Sequence, residues 1–377
     1  MSKLVSQRKE DPMRDRNTLR ADIIAAHANR KLTIKESAQR LGMSVSGFKK
    51  LAARYRKLGL ASLSHGLRGK PPNRSPHPCK EKILGLVGGK YGDFSIPHAC
   101  ELLEDREGLR VLPETLRLRL VAGGKPVRKR RRRNRQRREP RGAFGEMLQI
   151  DGSFHPWLDG HDRLCMTHVI DDATNTAMLH FAPQETIESA CLCAWRWMLE
   201  YGVPGSFYAD GRNMYHVPDG GEDNFFTSMC RQLGIRTIRA FSPQAKGRVE
   251  RGNGTHQSRL VPLLRLDGVK TLEGLNAYAR KYEERHNRRF AVKAPNGDRH
   301  RPLPKWAKTV DDVCWIQRER VVGNDWTVRY RNQVLQIERW SSYAPSKGKV
   351  SVKETISGKV TLTYRGRVVE YRKVATF

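Results

Sequence analysis

Three kinds of patterning divide the 377-residue chain and predict a multidomain protein: α-helical modules at the N-terminus, an α/β core around a mixed five-stranded sheet, and a small C-terminal β-barrel. Apolar residues recur at helical spacing behind capping residues in the first third. From Phe144 strand-like and helical runs alternate, and toward the C-terminus period-two alternation is broken by short polar turns. The length exceeds what one hydrophobic core usually supports, so several domains are expected.

Residues 1–63 read as a helix-turn-helix unit. After a first helix around Leu19–Asn29, Thr33 and Glu36 have the spacing of a capping box, and the helix they open runs to Leu41. Gly42 permits a tight turn, Ser44 can cap the next helix, and Val45, Phe48, Leu51 and Ala52 form its apolar stripe. In such a unit the second helix enters the major groove, which makes Ser44, Ser46, Lys49, Lys50 and Arg54 candidates for base or phosphate contact. A helical hairpin with a solvated basic face is the plainer alternative. A Gly/Pro-rich linker spans 64–77. Residues 78–124 then repeat the helical theme at Ile83–Val87, Ile96–Leu103 and Leu112–Val121, with Pro113 at a first helical position; a second helix-turn-helix, a spacer and a dimerisation module are all open.

Residues 125–142 form an arginine-rich linker, in which 125–141 hold eleven basic residues and one acidic. No core can come from it. Arg128, Lys129, Arg130, Arg131, Arg132, Arg133 and Arg135 are suited to neutralising phosphates, which gives affinity without base information. Charge over the whole chain agrees: 71 Lys and Arg face 39 Asp and Glu, a net +32, of which +23 falls in residues 1–143 and +9 in 144–377. That excess calls for a polyanionic partner, with double-stranded DNA the first candidate. No apolar run approaches the roughly 18 residues of a membrane-spanning helix, and no leader is recognisable, so neither membrane insertion nor export is expected. Seven scattered cysteines without a C-x-x-C pair signal neither a disulfide framework nor a zinc ribbon, and fit a reducing cytoplasm. The pairs His77-x-Cys79 and His98-x-Cys100 lack zinc-site spacing.

The core is expected over 143–290. Strands at Met147–Asp151, Leu164–Ile170 and Thr176–Phe181 read as an antiparallel meander, followed by a helix at Thr186–Tyr201, a strand at Ser206–Ala209, a helix around Asn224–Leu233, a strand at Ile235–Ala240 and a long helix from about Lys246 to Leu264. A Pro-containing linker, 291–312, precedes the barrel at 313–377. There Trp326-x-Val328-x-Tyr330, Val350-x-Val352 and Val360-x-Leu362-x-Tyr364 alternate, with turns at Arg331-Asn332, Ser357-Gly358 and Arg365-Gly366.

Asp151 ends an apolar strand, Asp210 ends another and is followed by Gly211, and Glu250 lies just inside the long helix. Two strand-end aspartates and a helix glutamate can converge on a pair of hard divalent cations, Mg²⁺ with Mn²⁺ as substitute. Two such ions suit in-line displacement at phosphorus, the chemistry that matches a DNA partner. Spacing alone leaves competitors open, since Asp159, Asp162, Asp171, Asp172, Glu185 and Asp223 lie nearby.

Ser242-Pro243-Gln244-Ala245-Lys246-Gly247-Arg248-Val249-Glu250-Arg251-Gly252-Asn253 resembles the glutamate signature of integrase-core transposases, related to retroviral integrases. Gln149-Ile150-Asp151-Gly152-Ser153, Val169-Ile170-Asp171-Asp172 and Ala209-Asp210-Gly211 extend the resemblance over 144–290. It implies a ribonuclease-H-like core, a DDE triad of Asp151, Asp210 and Glu250 as both catalytic and metal-ligating residues, and Asp171 as a structural residue of the second strand. It also implies a bacterial insertion-sequence transposase that binds element ends, frees 3′-OH groups and joins them to target DNA, acting as a homo-oligomer. Lys246, Arg248 and Arg251 are candidates for holding phosphates. Thirty-nine residues lie between Asp210 and Glu250, a slightly long interval for the family, with Arg212–Asp223 as the extra loop. A regulator without catalysis and a nuclease without strand transfer are the rival readings.

Overall fold

The structure, a computed structural model, describes residues 12–63, 79–124, 139–211, 214–217, 221–240, 247–339 and 348–376, with side chains only between 17 and 374. The arginine run and most of both expected linkers near it therefore lie outside the described residues, as does Lys246. The chain divides into two compact units, Met1–Lys80 and Glu81–Phe377.

In the first unit α1 (Pro12–Ala28) begins well before the expected start, and α2 (Ile34–Arg40) and α3 (Val45–Leu58) follow. Both reciprocal capping-box bonds form: Glu36 N–H donates to Thr33 Oγ1 at 3.3 Å and Thr33 N–H to the Glu36 carboxylate at 2.8 Å. Gly42 takes φ +61°, and Ser44 Oγ accepts from Gly47 N–H at 3.0 Å. Ile23, Ile24, Ala38, Phe48, Ala52 and Leu63 close the core. Val45, expected on that apolar face, opens α3 and stays 38% exposed.

The second unit opens with α4 (Lys80–Gly88), α5 (Ile96–Glu107) and α6 (Pro113–Ala122). Then come β1 (Leu148–His155), β2 (Leu164–Asp171), β3 (Ala177–Ala182), α7 (Ile187–Tyr201), β4 (Ser206–Ala209), α8 (Phe225–Gln232), β5 (Arg236–Arg239) and α9 (Gly247–Leu266). The five strands form one sheet in the order β3-β2-β1-β4-β5; β1, β2 and β3 pair antiparallel, and β4 is parallel to both β1 and β5. This is the mixed sheet the patterning predicts.

The strand alternation gives the sheet two unlike faces. Leu148, Ile150, Val169, Met178 and Phe207 turn to α7 and α8 and share one apolar core with Trp197, Phe226 and Met229. On the opposite face Gln149, Asp151 and Ser153 meet α9. Val249 N–H donates to Gln149 Oε1 (3.2 Å), Asn253 Nδ2 to Asp151 Oδ2 (3.2 Å) and Gln257 Nε2 to Ser153 Oγ (3.0 Å). Two residues of strand advance about as far as four of helix, so the rungs 149/249, 151/253 and 153/257 stay in step.

A helix absent from the sequence reading, α10 (Leu272–Phe290), covers the β3 edge. Asn287 Oδ1, Glu283 Oε1 and Asn276 Oδ1 accept from the backbone N–H groups of Ala177, Leu179 and Phe181 at 2.8, 2.7 and 2.9 Å. Asn276 and Asn287 also donate to the carbonyls of Phe181 and Ala177, so side chains stand where a sixth strand would pair.

Residues 291–309 run along the core rather than away from it: Phe144 N–H donates to Gly297 O, and Val203 and Arg301 exchange both backbone bonds. After the short α11 (Val310–Val313) come β6 (Trp315–Val321), β7 (Thr327–Tyr330), β8 (Gln333–Ile337), β9 (Lys349–Thr355), β10 (Val360–Tyr364), β11 (Arg367–Val369) and β12 (Tyr371–Thr376). Closure into the expected barrel is not seen. Among the described residues the strands form two open sheets, β11-β10-β9-β6 and β12-β8-β7, around a shared core of Val328, Tyr330, Leu335, Val350, Val352 and Leu362. Alternation reports which side chains face inward, and a sandwich and a barrel satisfy it equally. The turns at Arg331-Asn332 and Arg365-Gly366 are two-residue hairpin loops, and at the latter both residues take positive φ (47° and 80°), whereas Ser357-Gly358 lies in a four-residue loop, 356–359. Among the described residues no helix is long and apolar enough to cross a membrane.

Candidate active site

β1 pairs with β4 in parallel register, Leu148 with Phe207 and Gln149 with Tyr208. Continued two residues, past the end of β4 at Ala209, that register would set Asp210 level with Asp151, one strand spacing away (~4.8 Å between neighbouring strands). β1 does not end at Asp151, as expected, but runs to His155, so Asp151 is a mid-strand residue. The meander partner β2 is long enough to pair the whole of it, from Leu148↔Asp171 to His155↔Leu164.

The buried Tyr215 stands among the same carboxylates. Its hydroxyl is pushed far above the usual phenol range by burial first, and then by the charges of Glu185, Asp151 and Asp210. Glu185 reaches in over Gly152: a Cβ there would lie 2.4 Å from its Oε1. Arg239 brings a cation beside Asp210, its guanidinium lying against Gly211. Glu250 is exposed in the first turn of α9, one helical turn before Asn253. Among the described residues no three His, Cys, Asp or Glu side chains have the mutual spacing of a metal cluster. The carboxylates gathered around Tyr215, those of Asp151, Asp210 and Glu185, are of the hard oxygen type that Mg²⁺ favours.

Behind Asp151 lies a chain of polar groups that the sequence reading did not find. An ionised Asp151 only accepts, so Asn253 must turn its Nδ2 to it and its Oδ1 to His168 Nδ1, at 2.9 Å. His168 therefore carries its proton on Nδ1 and accepts at Nε2 from His256 Nε2 (3.3 Å), whose Nδ1 accepts from the Tyr282 hydroxyl (3.0 Å). Tyr282 in turn meets His286 Nδ1 at 3.5 Å. Every link points its proton toward Asp151. Burial holds His168 at about 4 and His256 far below the usual imidazole value, so both rings are neutral, as the chain requires. Gly252 leaves no alternative packing, since a Cβ would meet His168 Cε1 at 2.4 Å. The one signal in the sequence is spacing: Asn253 and His256 follow Glu250 on successive turns of α9.

Of the competing acids Glu185 stays with the site, while Asp171, Asp172 and Asp223 are engaged elsewhere. Asp171 is fully buried and accepts from the backbone N–H groups of Gly145, Ala173 and Thr174 and from Thr174 Oγ1. Asp172, equally buried, takes Arg141 N–H (2.7 Å), Gln149 Nε2 (2.7 Å) and Arg248 Nε (3.3 Å). Arg248 also bonds Asn175, so this candidate phosphate holder ties α9 to the β2–β3 turn; Arg251 is exposed. Asp223 pairs with Arg231 at 2.6 Å, and Asp159 and Asp162 lie exposed between β1 and β2. In the first unit Ser44, Ser46, Lys49, Lys50 and Arg54 are all exposed on or beside α3.

No family model matches the chain. Among solved structures, the HTLV-2 integrase catalytic core in complex with magnesium aligns at 17% identity over 37% of this chain and 86% of that one, with a TM-score of 0.30. A simian T-cell lymphotropic virus intasome in complex with a PP2A regulatory subunit aligns at 16% identity over 64% of this chain and 85% of that one, TM-score 0.35. The sequence relatives are nearer. A "Transposase for insertion sequence IS1202" of Streptococcus pneumoniae is 27% identical over 93% of this chain and 85% of its own length. "Putative transposase y4bF" of Sinorhizobium fredii is 32% identical over 96% of this chain and 81% of its own. With that identity running nearly end to end, the chain belongs to the transposases of bacterial insertion sequences.

Proposed function

We propose that this transposase is a DDE polynucleotidyl transferase with a ribonuclease-H-like core, in which Asp151, Asp210 and Glu250 carry the chemistry. The reading is supported by the gathering of the Asp151 and Asp210 charges around Tyr215, and by the bond from Asn253 of α9, one turn after Glu250, to Asp151. Asp151 and Asp210 would hold Mg²⁺, or Mn²⁺ in its place, with Glu250 completing the set. A pair of such ions supplies an activated oxygen nucleophile and charge relief for the leaving oxygen. The chain's own groups do the rest. Asn253 orients Asp151 and keeps its Oδ2 in hydrogen-bond contact, while the histidine chain behind fixes the Asn253 amide. Water first attacks the phosphodiester at the element end and frees a 3′-OH; that hydroxyl then attacks target DNA at the same site.

Recognition of the element ends is assigned to residues 1–63 as a helix-turn-helix, with Ser46, Lys49, Lys50 and Arg54 turned to the duplex and Ser44 combining capping with phosphate contact. Arg128–Arg135 add salt-sensitive affinity. Pairing of two ends calls for a homo-oligomer. The test is strand cleavage and joining on labelled end DNA: both steps are expected with Mg²⁺ or Mn²⁺ and neither in EDTA, whereas equal cleavage with and without divalent metal refutes the proposal.

A further inference from the structure

The second helical module is docked on the catalytic region by charge. Arg259 of α9 and Arg289 of α10 both pair with Glu101 of α5, Arg285 with Asp105 at 2.7 Å, Arg106 with Asp267 at 2.7 Å, and Arg265 with Asp93. Between α5 and the α9–α10 pair a cleft of about 260 Å³ stays open, floored by Tyr282, His286 and Phe290. Four guanidiniums line it, those of Arg259, Arg285, Arg288 and Arg289, against two carboxylates, Glu101 and Asp105. The docking bonds therefore leave two positive charges in excess. His98, 2% exposed, lines the same cleft, and its Nδ1 is buried without a hydrogen-bond partner among the described residues. A buried nitrogen left so is destabilising, and an excess of fixed cations in a concave site adds to that unless an anion enters. Burial, followed by the charges of Arg259, Arg285, Arg289 and Arg106, lowers the His98 pKa to about 3. The ring is thus neutral, with one N–H to donate.

We propose that this cleft is a phosphate seat, in which the excess guanidinium charge and the unpartnered His98 Nδ1 take one phosphate group, supplied by the backbone of bound DNA. The identity of the donor rests on DNA being the partner; the phosphate chemistry does not. The cleft lies at the far end of the hydrogen-bond chain from Asp151, with Tyr282 and His286 on its floor, so binding is measured on the full chain in EDTA, where cleavage plays no part.

Arg288 is exposed, and its truncation leaves the packing intact. In salt titrations with a labelled random-sequence duplex, Arg288→Ala should reduce the slope of log affinity against log salt by about 0.9, the share of one phosphate. Arg280→Ala, an exposed arginine of α10 outside the cleft, should leave the slope unchanged. His98→Gln should weaken binding severalfold at constant slope. In the companion experiment millimolar inorganic phosphate raises the melting temperature of the parent protein and not of Arg288→Ala. If that shift is seen while the DNA slopes of Arg288→Ala and the parent coincide, the seat takes free phosphate and the DNA assignment is overturned. Equal slopes together with no phosphate-dependent shift overturn the site itself.

Discussion

The two faces of the five-stranded sheet come from the same strands and differ by one residue of register, yet they are held by different physics. On one, Ile150, Val169 and Phe207 pack against α7 and α8 as a dry apolar core. On the other, Gln149, Asp151, Ser153 and His168 meet α9 almost entirely through hydrogen bonds. Burial of apolar area is non-directional and supplies most of the stability. A polar face contributes less, but each bond fixes an orientation, which is what carboxylates need if they are to hold cations. Under the proposed function, stability and chemistry are separable, one to each face.

Damage to the apolar face should give the largest change. Ile150→Ala leaves a cavity in a side chain buried at 0% exposure, at a cost of about 2–5 kcal/mol. Denaturant melts should show it; a loss below ~1 kcal/mol would break the comparison. Gln149→Ala, one residue away, strips the Val249 N–H and the Asp172 carboxylate of a partner and should cost about 1–3 kcal/mol. Its distinguishing mark is that activity falls further than stability, because α9 loses its first rung; parallel losses would contradict that.

A pH series sharpens the contrast, since only the polar face holds the histidine chain. His168 titrates at about 4 and His286 at about 3 in the folded protein, against about 6.5 unfolded. Below pH 6.5 the unfolded chain takes up protons that the fold refuses, so stability falls as pH drops from about 6.5 toward 4, by on the order of 1 kcal/mol per histidine per pH unit. His256→Phe, at the centre of the chain, should flatten the dependence by its own share. An identical pH profile for parent and variant would show that the chain does not carry it.

The sheet strands, the capped α2–α3 pair and the positions of the two aspartates were legible because each has a local signature: alternation, capping spacing, a turn glycine. What was not legible depends on partners distant in sequence. α10 holds few apolar residues on its inner face and meets β3 through Asn276, Glu283 and Asn287, which in sequence look like a solvated polar helix. α5 looks like one half of a DNA-binding pair until Glu101 and Asp105 are seen on the arginines of α9 and α10. Among the acids, Asp171 and Asp151 have similar strand contexts; the family resemblance set Asp171 apart as structural, and the backbone donors converging on it give the physical reason that strand context could not. Closure of a barrel is likewise a property of strand ends, on which inward-facing alternation is silent.

In the proposed function Asp151, Asp210 and Glu250 act in chemistry and not in binding or folding. Asp151→Asn, Asp210→Asn and Glu250→Gln preserve shape and remove the charge that holds cations, so each variant should keep the parent melting temperature to within a few degrees and bind end DNA comparably in EDTA. Assayed for 3′-end cleavage and strand transfer on labelled end DNA in Mg²⁺, each should lose at least ~10³-fold in rate, the scale expected when metal-ion catalysis is removed. Near-parental cleavage and joining by folded, DNA-binding Glu250→Gln would contradict the account.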